Sequence, residues 1–199
     1  MMVFTMPCWR ATISTLLLLF GLTCAPLASA ALSGDVQIRN PQLELMEEGY
    51  VLSADITLEF GNKLEEALAR GLPLYFVFEF EMSRPRWYWI EDKRFSRSLS
   101  YRLHYHALTR QYRLSNGVAH QSFTTLEEAL RYLIRVHNWL VMDRAELGAL
   151  KSGETYSALF RFRLDSSQLP KPLQVNVLFA RDWELSGETR WTHTVTDIK

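Results

Sequence analysis

The sequence predicts a mainly β fold, an antiparallel β-sandwich in which two helices are inserted between strands or cover them. Two observations predict it. Most of the chain consists of short runs in which every second residue is large and apolar, the period of a strand with one buried face. These runs, roughly nine or ten of them, follow one another closely and leave little room for the helical crossovers of a parallel sheet.

Residues 1–30 are expected to be a secretory signal peptide. Arg10 is the only charged residue among them, residues 11–22 are apolar, and the small residues 28–30 suit a signal peptidase. The remaining chain, residues 31–199, is then expected to be a single β-sandwich domain in the periplasm.

Cys24 raises the alternative of a lipoprotein. Leu22 stands one place too close to this cysteine for the lipidation motif, so lipid attachment is the weaker interpretation. Cys8 also lies in the predicted signal peptide, and its removal leaves a domain without disulfides that must be stabilised by its core alone. No transmembrane segment is expected after cleavage.

The predicted domain opens with a hairpin and a short helix. Residues 36–45 and 50–60 alternate as strands, and Gly49 between them supplies the backbone angles of a tight turn. Asn62 is the expected N-cap of a helix near 62–70.

The middle of the chain carries the central strands. Residues 74–82 and 99–107 place alternate apolar side chains on one face, whereas Pro85 interrupts the pattern and indicates a bend or an edge. Asn116 and Gly117 mark the next tight turn. The predicted core contains these alternating residues: Phe76, Phe78, Phe80, Tyr101, Leu103, Phe160 and Phe162.

The second predicted helix has a well-marked start. Thr125 and Glu128 form the pattern of a capping box, and apolar residues recur at helical spacing as far as Val136. This pattern predicts a helix near 125–138. Further strands are predicted at three later alternating runs, residues 156–164, 173–179 and 191–195.

Five stretches then follow one another in a specific order: residues 71–81, 84–89, 105–114, 153–156 and 164–175. Together they resemble domain-of-unknown-function family 4390, and the resemblance covers essentially the whole predicted domain. It implies an exported proteobacterial protein without an assigned activity and without assigned catalytic or binding residues. It also hints at partners, since family genes lie near those of a membrane sensor kinase and a ribosomal RNA methyltransferase.

His104 and His106 stand two places apart on the outward face of a predicted strand, a spacing that can present two imidazoles to one metal ion. A usable zinc site needs three or four ligands, and the remaining histidines are scattered along the chain. Arg102 on the same face would also repel a cation. We therefore expect no metal and no cofactor, with His104 and His106 as weak candidates.

Glu79 and Glu81 also share a face, about 7 Å apart along the strand. Two carboxylates at such a separation can hydrolyse a glycosidic bond. The simpler interpretation is that Arg102 and Arg113, outward on nearby strands, neutralise them across the sheet. We expect this structural role.

The strongest candidate for a binding surface is the segment with Arg84, Arg86, Trp87 and Trp89. Pro85 favours an edge with unpaired backbone groups, and tryptophan beside arginine dominates the energetics of many interfaces. The competing interpretation places both tryptophans in the core, where large apolar residues usually lie.

The expected function is that of a non-catalytic interaction module in the periplasm, with an envelope or inner-membrane protein as partner and a link to a membrane sensor kinase as a further hypothesis. The alternative is a hydrolase or binding protein for a cell-envelope glycan or lipid. The sequence has no serine-hydrolase elbow, zinc-protease motif or P-loop. Its nearly balanced charge argues against a nucleic-acid partner.

Overall fold

The structure, a computed structural model, describes residues 36–84, 92–170 and 185–196, with the backbone alone over 92–94. Within these residues the chain forms nine strands and two α-helices, besides short 3-10 turns at Glu146–Ala149 and Ser166–Gln168. The strands are β1 (Val36–Met46), β2 (Gly49–Leu58), β3 (Leu74–Arg84), β4 (Asp92–His106), β5 (Gln111–Ser115), β6 (His120–Phe123), β7 (Arg135–Asp143), β8 (Thr155–Leu164) and β9 (Ser186–Thr194). The helices are α1 (Asn62–Ala69) and α2 (Leu126–Leu133).

Three predictions about the organisation of the chain fall outside the described residues and stay predictions. They are the signal peptide at 1–30, the bend at Pro85 and the strand at 173–179. The described residues belong to one compact unit, Ser33–Lys199.

The strands pair antiparallel in two sheets. The smaller sheet has the order β1-β2-β7, and the larger sheet has the order β6-β5-β4-β3-β8-β9. Apolar side chains from one face of each sheet form a shared core. Phe78 on β3 and Trp139 on β7 meet across it, with ring centroids 6.5 Å apart. The mainly β, sandwich-like fold predicted from the alternating pattern is confirmed.

The central strands bury the residues that the alternation predicts. The phenylalanines of β3 and β8 are at most 1% exposed, Leu103 on β4 is fully buried, and Tyr101 packs half-buried against the core. The alternation also predicted that Ala107 faces inward, which is wrong, because Ala107 is exposed in the turn after β4. Strand pairing ends at His106, so Ala107 has no buried face to occupy.

The predicted hairpin is confirmed, and its glycine is required by two features. Gly49 has φ = +142° at the start of β2. A Cβ at this position would lie 2.1 Å from the carbonyl oxygen of Met142 on β7. Any larger residue would therefore force β2 and β7 apart.

Helix α1 forms where predicted, but the predicted cap is wrong. Gly61 is the N-cap, no side chain caps the helix, and Asn62 is its first residue. The carbonyl oxygen of Gly61 accepts the first helical bond, from the backbone N–H of Leu64 at 3.0 Å. Leu64 and Leu68 are fully buried, so burial of this apolar face holds the helix.

Helix α2 begins as predicted and ends earlier. Thr125 and Glu128 form the reciprocal capping box. The helix ends at Leu133, and the residues predicted to continue it to 138 instead begin β7, which pairs with β2. Val136 is buried by the strand, as it would have been by a helix. A longer helix and a strand would both bury Val136, and pairing with β2 decides in favour of the strand. Neither α-helix has the length and hydropathy of a membrane span in the described part of the chain.

One arginine links the two sheets. Nε of Arg97 on β4 donates to the carbonyl oxygen of Val141 on β7, at 3.2 Å. Its Nη2 lies 2.6 Å from Oε2 of Glu146, in the 3-10 turn after β7. These contacts cover part of the free edge of β7.

Candidate functional site

Arg84 is the member of the predicted interaction segment that the structure describes. Its Nη2 donates to Oε1 of Glu154 at 2.8 Å, and both side chains are about one-third exposed. Arg86, Trp87 and Trp89 lie outside the described residues. The segment stays a prediction, and any test of it has to allow for the partner of Arg84.

Glu79 is held by two arginines of β8. Its Oε1 accepts from Nε and Nη2 of Arg163, at 3.1 and 2.8 Å, and its Oε2 accepts from Arg161 at 3.4 Å. Burial alone would raise the pKa of Glu79, but the hydrogen bonds and charges of Arg163 and Arg161 outweigh it and hold that pKa below its ordinary value. The predicted partners Arg102 and Arg113 are wrong, because the register sets Glu79 opposite Arg161. An ionised carboxylate held in this way does not suit the acid of a glycosidase.

His104 and His106 lie on the outward face of the larger sheet. Their ring centroids are 6.3 Å apart. Arg113 on β5 lies directly opposite His104, and Arg102 precedes the pair on β4. In the described residues no three His, Cys, Asp or Glu side chains gather as metal ligands. The structure surrounds the histidines with positive charge instead.

The outward surface of β4, β5 and β6 carries basic residues on all three strands. From Ser96 onward, none of the outward-facing residues of β4, β5 and β6 is acidic. Neither Arg102 nor Arg113 has an ion-pair partner among the described residues. We call the surface the basic face and define it by its five basic residues: Arg102, His104, His106, Arg113 and His120.

Electrostatics of the basic face favour an anion. The pKa of His104 is lowered, first by burial and then by the charges of Arg102, His106 and Arg113. Arg102 and Arg113 lie one pair apart on neighbouring strands, and a bound anion would offset the repulsion between these two charges. Guanidinium groups there could also donate to carboxylate oxygens in pairs.

An apolar cleft of about 160 Å³ opens between the two sheets where β7 faces β4. The buried ring of Phe78 is part of its lining and lies 5.8 Å from the ring of Tyr101 and 6.5 Å from that of Trp139. Two exposed basic residues, Arg135 and His137, complete the lining. The other apolar residues of the wall are Leu99, Leu133 and Val136.

A polar hollow of about 390 Å³ lies on the smaller sheet, beside irregularities in its strands. Asn40 and Asn138 have φ of +49° and +51° there. Nδ2 of Asn40 donates to Oδ2 of Asp55 at 3.1 Å, and the backbone N–H of Asn138 donates to Oγ of Ser53 at 3.1 Å. These groups satisfy one another, which gives the hollow a structural explanation in the bulged strands.

Comparison with known families decides the relationship of the chain. Residues 33–194 match the family model described as a domain of unknown function, DUF4390. The chain belongs to the DUF4390 family. The match confirms the resemblance seen in the sequence, and the basic face and the cleft both lie within the matched part of this DUF4390 chain. Neither the curated proteins nor the solved structures gave a match.

The cleft was missed in the sequence because β7 was missed. Placing residues 135–138 in a helix put Arg135 and His137 beside a helical stripe instead of at the edge of a sheet. The available signal was the alternation of polar Arg135 and His137 with apolar Val136, followed by the apolar run ending at Met142. Within this DUF4390 domain, that short run brings a cation to the opening between the sheets.

Proposed function

We propose that the protein is exported to the periplasm and acts there as a non-catalytic interaction module that binds an acidic surface of an envelope or inner-membrane protein. The observation that carries the proposal is the basic face, where the outward residues of β4 from Ser96 onward, β5 and β6 include no acid and two arginines that have no ion-pair partner among the described residues. A membrane sensor kinase is the first partner to test, since family resemblance implies that such genes lie nearby.

Local charge, not overall charge, has to provide the affinity. The whole chain has 22 lysines and arginines and 22 acidic residues, so it exerts little long-range attraction on an acidic partner. The basic face concentrates positive charge on a sheet surface whose exposed arginines can each form two parallel hydrogen bonds with a carboxylate.

The test compares two double variants that each remove two exposed arginines. Arg102→Gln with Arg113→Gln neutralises the basic face, whereas Arg39→Gln with Arg70→Gln removes the same charge from elsewhere on the surface. We expect the first variant to bind its partner roughly tenfold more weakly and with less sensitivity to salt, while the second binds like the parent.

Binding would be measured with the periplasmic part of the sensor kinase and with partners captured by cross-linking in the envelope. Melting temperatures of both variants are checked first, because a change there would mix folding with binding. Equal retention of every acidic partner by the two double variants would remove the basic face from the proposal.

Export is tested separately. We expect the mature protein to begin at Ala31, which N-terminal sequencing of periplasmic material would show. An acylated N-terminal Cys24 would contradict this part of the proposal and leave the basic face unaffected.

The segment with Arg84, Arg86, Trp87 and Trp89 is proposed as an additional contact. Arg84 is bonded to Glu154, so its replacement would disturb an existing ion pair. Arg86→Ser alone is therefore the cleaner variant. Loss of partner binding in Arg86→Ser at unchanged melting temperature would support the segment, and unchanged binding would argue against it.

A further inference from the structure

We infer that the cleft between the two sheets is a binding site for a small apolar carboxylate, whose hydrocarbon part fills the cleft and whose charged group meets Arg135. This site is separate from the basic face and does not rest on the proposed function. Its walls come from β3, β4, β7 and α2, and only basic residues stand among the apolar ones.

The size and lining of the cleft suit one ring or one short branched chain. Its volume is about 160 Å³. The volume alone matches that of an enclosed cavity of about 150 Å³ in another protein that binds benzene, so one ring fits. Phe78 meets the rings of Tyr101 and Trp139 edge-on, and Trp139 also packs at a tilt against Phe160 of the core, so the lining is in place before a ligand arrives.

Arg135 provides the charge complementarity. It is exposed and has no hydrogen-bond or ion-pair partner among the described residues. Its charged neighbours have other partners: Asp55, directly opposite on β2, accepts from Nδ2 of Asn40 at 3.1 Å, Arg131 pairs with Glu127 at 2.9 Å, and Glu128 serves the capping box of α2. Arg135 also lines a groove of about 320 Å³ that contains a second arginine, Arg131, and one carboxylate, Glu128, so the residue is open to solvent on that side.

His137 is the second basic residue at the opening. Its Nδ1 lies 2.8 Å from the carbonyl oxygen of Val136. When Nδ1 carries the proton it donates to that oxygen, which fixes the orientation of the ring. Among the described residues, the lining of the cleft contains no carboxylate that would repel the ligand.

The probes are 3-phenylpropionate and its neutral amide, titrated at millimolar concentrations while the indole N–H signal of Trp139 is followed by NMR. We expect both to shift this signal and the acid to bind about fivefold to tenfold more tightly than the amide. Arg135→Gln should abolish that difference. Arg131→Gln, which removes the paired arginine, should preserve it.

A variant that fills the cleft gives an independent check. Leu99→Phe should prevent binding of both probes while Arg135→Gln continues to bind the amide. Because a larger side chain can destabilise the fold, a thermal melt accompanies it, and Arg135→Gln carries the test if Leu99→Phe does not fold.

Four outcomes would overturn the inference. They are no shift with either probe, equal affinity of acid and amide in the parent, an acid preference that survives Arg135→Gln, and binding that survives in folded Leu99→Phe.

Discussion

Phe78 and Phe160 show at the scale of single residues how the alternating pattern encodes a core. On the paired strands β3 and β8, Phe78 lies opposite Phe162 and Phe160 lies opposite Phe80. Phe78 and Phe160 are at most 1% exposed, and their rings stack 6.3 Å apart. Replacing either by alanine leaves a cavity that the sheet cannot close. We expect each variant to lose about 3–5 kcal/mol of unfolding free energy in urea denaturation.

A matched control is Leu108→Ala, since Leu108 is 93% exposed in the turn after β4. Its unfolding free energy should stay within about 0.5 kcal/mol of the parent. If Phe160→Ala were equally mild, the parity assigned to β8 would be wrong.

His193 makes the stability depend on pH. Its Nε2 is buried without a hydrogen-bond partner among the described residues, and burial lowers the pKa of this imidazole. The unfolded chain therefore binds the proton more readily. The contribution to stability is complete above the ordinary histidine pKa of about 6.5 and is lost as the pH falls below it.

His193→Phe keeps a ring against Tyr50, whose ring centroid lies 5.2 Å away, and removes the titration. We expect this variant to lose less unfolding free energy than the parent between pH 8 and pH 5.5, measured by urea denaturation at each pH. Parallel curves for the two proteins would show that His193 does not titrate on unfolding in this range. His104, also lowered in pKa by burial, contributes to both curves equally.

At the scale of elements, the start of α2 was easier to predict than its end. The capping box of α2 is a local signal of two residues, Thr125 and Glu128, and it is realised. The end of α2 depends on β2, which is more than seventy residues away in sequence and offers an edge to β7. No local pattern contains that partner. Both a helix and a strand bury Val136, so periodicity alone could not separate them.

Gly187 on β9 tests how closely two strands of different sheets approach. A Cβ built there would lie 2.7 Å from Cγ1 and 2.8 Å from the carbonyl oxygen of Val36 on β1. Backbone cannot move aside as a flexible side chain can. We therefore expect Gly187→Ala to cost about 1–3 kcal/mol of unfolding free energy.

Gly148→Ala is the corresponding control, since a Cβ at Gly148 would meet nothing within 4 Å and its backbone has no left-handed φ. It should change the unfolding free energy by less than about 0.5 kcal/mol. Equal melting of the two variants would mean that β1 and β9 are not in close contact at this point.

At the scale of the molecule, the class of fold could be predicted and the order of its strands could not. Alternation reports which side of a strand is buried, and it correctly placed Phe78 and Phe160. It does not report which strands are neighbours. For that reason Glu79 was assigned to Arg102 and Arg113, although β8 lies beside β3 and provides Arg161 and Arg163. The cleft was out of reach for the same reason, since it exists only where β7 faces β4.

Arg97 tests whether the two sheets depend on a polar link as well as on the shared core. It bonds Val141 on β7 and pairs with Glu146, which also accepts from the backbone N–H of Asp143 at 2.9 Å. Arg97→Met would keep an apolar stem against Phe95, whose ring lies 5.3 Å from the guanidinium carbon, and would leave both acceptors without this donor. Because each partner is about one-third exposed, water replaces part of the interaction. We expect a loss of about 1–2 kcal/mol of unfolding free energy.

The effect of Arg97→Met should be concentrated in β7, the strand that Arg97 contacts. Amide exchange in β7 should accelerate more than in β1, the other edge of the smaller sheet, because Arg97 covers only the β7 edge. Arg70→Met is the matched control, since Arg70 forms an exposed pair with Glu66 within α1 at 3.3 Å and should contribute less than about 0.5 kcal/mol. If Arg97→Met unfolds at the urea concentration of the parent and β7 exchanges no faster, the sheets are joined by apolar packing alone, and the opening of the cleft beside β7 is held by Phe78 and Trp139 without polar help.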